Sequence, residues 1–181
     1  MGGALRVPGN VTPVAEFNIY ADPHAAHMVF HAGWPIKLVA LDVTQKTLLS
    51  RERVRALAST GSRVPMLIQQ MVENFLNTFG LQRGTTAFHM HDPLCLFASF
   101  QPEIITWEPA YVDVEITSDL TLGETVAYFS NLAEDIDPSL EHVHSPNMLA
   151  SVGVDVERFI TEFVDRIQST FSFDKPVMNE L

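Results

Sequence analysis

Two periods of apolar residues run along this chain of 181 residues, and they divide it into helices and strands. Helical spacing begins at residues 22–32, where Asp22-Pro23 supplies an N-cap and a first turn and Gly33 sits just past the end. Ser50 precedes a second helix over 51–58. A third over 64–79 carries Ile68, Met71, Val72, Phe75, Leu76 and Phe79 as its core stripe. After a loop holding Gly80 and Gly84, Asp92-Pro93 repeats the cap-and-first-turn signal and opens a short apolar helix to about Phe100. The last helix, over 155–167, turns Val156, Phe159, Ile160, Phe163 and Ile167 inward.

Strand signals differ in kind. Residues 35–44 (PIKLVALDVT) are short, β-branched and nearly all apolar, the pattern of a parallel strand covered on both faces. Val112, Val114 and Ile116 alternate with Tyr111, Asp113 and Glu115, which predicts a half-exposed strand, and 127–129 reads as another. The first fourteen residues, with three Gly, two Pro and an Asn, read as a turn-rich loop. Helix followed by buried strand predicts an α/β fold. Neither a repeat nor a low-complexity linker divides the chain, whose length suits a single domain over 1–181.

Composition narrows the function. Apolar residues make up 46% and charged residues 18%, enough for a core and too apolar for disorder. The net charge of −11 argues against nucleic-acid and anionic-membrane partners. Most of that charge lies after residue 92, where 3 basic residues face 16 acidic ones. The single cysteine, Cys95, lies among Pro93, Leu94, Leu96 and Phe97 and reads as a small buried hydrophobe. Together with the lack of an 18-residue apolar stretch or a signal-like start, it makes a reducing, cytoplasmic setting the default.

Three clusters hold groups able to do more than pack. In GNVTPVAEFN, Asn10, Glu16 and Asn18 offer a carboxylate and two amides suited to a polyhydroxylated ligand, or to stabilising turns. In FHMHD, Asp92 reads as a helix cap or as a metal or hydroxyl ligand, and His91 as a structural residue or a general acid. His24, His27 and His31 share a helix, with His142 and His144 far downstream. Zinc sites usually bring tight pairs such as HExxH or CxxC, and neither occurs, so zinc is the weakest reading. Serine-hydrolase, P-loop and dinucleotide motifs are absent.

Taken in order, MGGALRVPGNVTPVAEFNIYADPHAAHMVF, PIKLVALDVT, HMHDPLCLF and VDVERFITEFVDRI closely resemble the C-terminal half of the inosine-uridine-preferring nucleoside hydrolases. The resemblance implies a mostly parallel open sheet with helices on both faces, lacking here its N-terminal half. It implies calcium-assisted hydrolysis of the N-glycosidic bond of ribonucleosides, a reaction of purine and pyrimidine salvage. Matched by motif, Asn10, Glu16 and Asn18 would contact ribose hydroxyls, Asp92 would ligate calcium and a ribose hydroxyl, and His91 would protonate the leaving base. The family's aspartate cluster of the type DxDxGxDD, which supplies most calcium ligands and the carboxylate that activates water, is missing from this sequence. Two readings follow: a nucleosidase completed by a second chain bearing the N-terminal half, or a non-catalytic remnant that oligomerises or binds ribosides. Bare apolar surface left by the missing strands predicts a homo-oligomer or pairing with that complementing half.

Overall fold

A computed structural model describes residues 1–59, 61–129 and 145–171, except the side chains of 81–83. In chain order the elements are α1 (Phe17–Ala21), α2 (Pro23–Phe30), β1 (Ile36–Leu38), α3 (Leu41–Thr44), β2 (Leu48–Ser50), α4 (Arg51–Ala58) and α5 (Arg63–Arg83). They continue with β3 (Ala87–His89), α6 (His91–Phe100), a 3-10 turn (Pro102–Ile104), β4 (Ile105–Val114), β5 (Thr125–Phe129), β6 (Met148–Val154) and α7 (Val156–Phe171). The described residues fall into two compact units, one from Met1–Gln45 with His91–Val154, the other from Lys46–Met90 with 155–171.

The first unit is built on a four-stranded sheet in the order β1-β6-β4-β5. The α/β class is as expected. Pairing within these four strands is mixed: β1 runs parallel to β6, while β6–β4 and β4–β5 are antiparallel. Strand β6 was not anticipated, because MLASVGV mixes small and apolar residues without alternation, as befits a central strand buried on both faces. The alternation at Val112 and Val114 marks only the end of β4, which begins at Ile105 and carries a bulge at Thr106/Trp107. Strand β5 pairs with residues 110–114 of β4 over its described length. Ile116 lies beyond the strand. Phe30, Leu38, Val112, Phe129 and Met148 form the centre of this unit's core.

The expected strand over 35–44 is corrected. Only Ile36–Leu38 pairs; Val39 and Ala40 then leave the sheet, and Leu41–Thr44 turn into α3. The cause is polar. Asp42 and Thr44 inside the apolar run bond to other parts of the unit, as described below, which a continued strand would prevent.

The second unit packs α4, α5 and α7 with the antiparallel β2–β3 pair, whose register sets Leu48 opposite His89. Ser50 caps α4 by accepting from Arg53 N (3.2 Å), and Asp155 does the same for Arg158 N of α7 (3.1 Å). Phe159 and Ile160 are buried as expected. Helix α5 departs from expectation twice. Its inward face is Val72 and Leu76, with Met71 and Phe79 exposed, so the apolar stripe is wider than what is covered. Gly80 lies inside the helix, where its carbonyl accepts from Thr85 N (3.0 Å), and the stop falls at Gly84, whose φ of +62° suits a residue without Cβ.

Candidate functional site

The N-terminal loop is folded by backbone-directed polar groups. Gly9, Asn10, Val11 and Thr12 turn so tightly around Ala15 that a Cβ on Gly9 would stand 2.2 Å from the Ala15 carbonyl oxygen. This turn delivers Asn10 to the start of α1, where its Oδ1 accepts from Phe17 N (2.9 Å). Glu16, only 2% exposed, is the N-cap of α1. Its Oε1 accepts from Asn18 N (2.9 Å), and its Oε2 from Ile19 N (3.2 Å) and Gly3 N (3.1 Å). Three backbone donors thus offset the cost of burying the carboxylate. Asn18 Nδ2 donates to the Met1 carbonyl (3.2 Å). Asn10, Glu16 and Asn18 therefore come together around a short helix, α1, where the Gly- and Pro-rich sequence predicts a loop.

Helix α3 ties this loop to α6. Leu41 N donates to Gly3 O (2.9 Å), and the buried Asp42 carboxylate accepts from Leu5 N (2.9 Å) and Arg6 N (2.8 Å). The buried Thr44 hydroxyl bonds His91 Nδ1 at 2.8 Å. A second tie runs through Met1, whose amino group lies 3.3 Å from Cys95 Sγ on α6. Cys95 itself is half-buried rather than core. Thr125 closes the loop from the sheet side, accepting from Ala4 N (2.8 Å) and donating to Ala4 O (2.9 Å). Asp42, Thr44 and Thr125 were not singled out beforehand. For the first two, a polar residue inside the run LVALDVT was the available signal.

Helix α6 begins at His91, two residues before the Pro93 start expected from an Asp92 cap, so Asp92 is a first-turn residue and not the cap. The fit of this position to calcium can be judged from its neighbours. Calcium takes six to eight oxygens, and Asp92, exposed, brings two at most. Among the described residues, the convergence of three His, Cys, Asp or Glu groups lies elsewhere, at His27, His31 and Asp113. Among the described residues, no such group of three includes Asp92.

That other cluster joins α2 to β4. Asp22 caps α2 as expected, accepting from Ala25 N (2.9 Å). His27 Nδ1 stands 2.7 Å from Asp113 Oδ1, and His31 Nε2 stands 3.6 Å from Asp113 Oδ2. Burial and the neighbouring Asp113 carboxylate push the Tyr111 hydroxyl above its ordinary pKa. His24 is exposed and outside the cluster, and His142 and His144 lie outside the described residues. No helix among the described residues is long and apolar enough to cross a membrane.

Comparison with known proteins places these features. Residues 1–161 match the family described as inosine-uridine preferring nucleoside hydrolase. The chain is 33% identical over 168 residues to the inosine-uridine preferring nucleoside hydrolase of Crithidia fasciculata, covering 93% of this chain and 50% of that protein. It is 33% identical to the pyrimidine-specific ribonucleoside hydrolase RihA of Citrobacter koseri, covering 92% of this chain and 51% of that protein. Among solved structures, the purine-preferring ribonucleoside hydrolase from Gardnerella vaginalis superposes with a TM-score of 0.81 at 29% identity, over 95% of this chain and 52% of that one. The chain spans about half the length of the relatives it matches.

Proposed function

The chain belongs to the inosine-uridine preferring nucleoside hydrolase family, and from that premise we propose that it supplies the sugar-binding and leaving-group side of an enzyme hydrolysing ribonucleosides to ribose and free base. The observation that carries this reading is the hydrogen-bonded frame that ties Asn10, Glu16 and Asn18, through Met1 and α3, to His91 on α6. Both units are read as parts of one domain, since the family match runs through both.

In this reaction the C1′–N bond breaks with its electron pair passing to the base, and positive charge builds on the ribose before water adds to C1′. Interactions that hold the sugar more strongly in that state lower the barrier. Asn10 and Asn18, both exposed, and Glu16, through the remaining lone pair on Oε1, are assigned to the ribose hydroxyls. Asp92 is assigned to a further hydroxyl. His91, held at Nδ1 by Thr44, is assigned to proton delivery to the departing base. Calcium is the metal expected at Asp92 from the family resemblance, where it would need several oxygen ligands besides this carboxylate.

We read the chain as the C-terminal half of such an enzyme, completed by a chain carrying the aspartate-cluster half or by association with a second copy. Exposed Phe17, Leu96 and Phe100 support an associating surface. The solitary Asp92 favours a second reading, a riboside-binding protein without turnover. Base release from inosine, uridine and other ribonucleosides, by the chain alone and mixed with the complementary half of a relative, tests both. Release only in the mixture supports the first reading, and saturable riboside binding with no release in either supports the second.

A further inference from the structure

Helix α2 presents His27 and His31 one turn apart on a single face, and β4 sets Asp113 against them. The His31 ring is fixed by its Nδ1, which lies 2.8 Å from the His27 carbonyl. A carbonyl only accepts, so Nδ1 carries the proton and the Nε2 of the neutral ring carries a lone pair. That lone pair faces Asp113 Oδ2 at 3.6 Å. The Tyr111 hydroxyl reaches His31 Nε2 (3.3 Å) and Asp113 Oδ2 (3.4 Å) but has one proton to share between them. Asp113 Oδ1 meanwhile takes Val114 N and His27 Nδ1. Among the described residues, the lone pairs of His31 Nε2 and Asp113 Oδ2 thus face each other with one Tyr111 proton between them, and a cation seated there would engage both.

We propose that His27, His31 and Asp113 form a binding site for a divalent transition-metal ion of the zinc class, pinning α2 to β4. The three ligand atoms lie within 4.8 Å of one another, against ~3.3 Å between ligands of a tetrahedral ion with bonds of ~2.0 Å, so a closure of at most ~1.5 Å, shared among three side chains, completes the set. Two imidazoles and one carboxylate suit zinc, cobalt, nickel or copper better than calcium or magnesium, which prefer oxygen alone. The carbonyl bond at His31 Nδ1 orients the ring as backbone acceptors do behind metal-bound histidines. Binding displaces the proton from His27 Nδ1 and leaves Tyr111 to hydrogen-bond the outer carboxylate oxygen. The three side chains are each about a third exposed (34%, 38% and 31%), so the ion enters from solvent without unfolding. This site does not rest on the proposed hydrolase reading.

The test titrates the full chain with zinc chloride by calorimetry and with cobalt(II) by visible absorption, alongside thermal melts. The expected result is one saturable zinc site, a cobalt d–d spectrum, a zinc-dependent rise in Tm, and no response to calcium at the same concentration. His27→Gln and His31→Gln should each weaken zinc binding at least ~10-fold and remove the Tm rise. Their metal-free melts should match wild type, and Asp113→Asn provides a third variant if either fails to fold. Absence of saturable zinc binding in wild type, or undiminished binding in the His27→Gln/His31→Gln double variant, overturns the proposal and leaves a proton as the bridging cation.

Discussion

In the loop that leads into α1 and in helix α3 bonded to it, two carboxylates are buried and their oxygens engaged by backbone N–H groups, three on Glu16 and two on Asp42. At the start of α6 the situation reverses: His91 is half-buried against a hydroxyl and Asp92 is exposed. The first region shows what it takes to fold an irregular segment without a ladder of its own, namely carboxylates and hydroxyls in place of strand partners. The second ties His91 to that network through Nδ1 and leaves the Asp92 side chain exposed. Substitutions should therefore separate, with the loop governing folding and α6 governing chemistry.

The largest effect belongs to α6. In the mixture with a complementary half, Asp92→Ala should reduce base release to background for every nucleoside, while shifting the unfolding free energy of this chain by less than ~0.5 kcal/mol. His91→Ala should cost roughly 10²- to 10⁴-fold, most for bases that leave only when protonated. Equal loss across all bases would remove the proton-donor assignment. Asp42→Ala should do the opposite, destabilising by roughly 1–3 kcal/mol in a urea melt, because it removes a buried carboxylate and strands the part-buried Leu5 and Arg6 N–H donors. Gly9→Ala should cost at least ~2 kcal/mol, since the clash is with backbone rather than a movable side chain.

Thr44→Val probes the junction of the two regions. Removing the hydroxyl while keeping the shape should cost about 1 kcal/mol of stability and lower turnover through a looser His91 ring, with KM changing less than kcat. The smallest effect sharpens the contrast from a third place. Glu115 orders the turn after β4 by accepting from the Thr117 hydroxyl and from Thr117 and Ser118 N, and these bonds lower its pKa from an ordinary 4.5 to about 2. A depressed carboxylate stabilises the folded state above its ordinary pKa. The gap between wild type and Glu115→Gln should thus be constant at neutral pH and close as pH falls from about 4.5 toward 2.

The helices were legible in the sequence because their signals are local: Asp22-Pro23, Ser50 and the stripe through Phe159 and Ile160 each declare an element without reference to distant residues. The sheet was less so. Strand β6 has no alternation to read, and PIKLVALDVT looks like one strand until the partners of Asp42 and Thr44 are known, which lie 36 and 47 residues away. The same distance effect governs the sites. Asn10, Glu16 and Asn18 are neighbours in sequence and were found as a group. Asp113 joins His27 across 86 residues, so no motif announces that cluster, and the sequence grouped the two histidines with His24 instead.

The decisive measurement is base release from ribonucleosides by this 181-residue chain, alone and mixed with the aspartate-cluster half of a relative, in the presence of calcium. Release should stay at background for the chain alone, and turnover should appear in the mixture and disappear with Asp92→Ala. Calcium-stimulated turnover by the chain alone, or turnover in the mixture that survives Asp92→Ala, would contradict the proposed function.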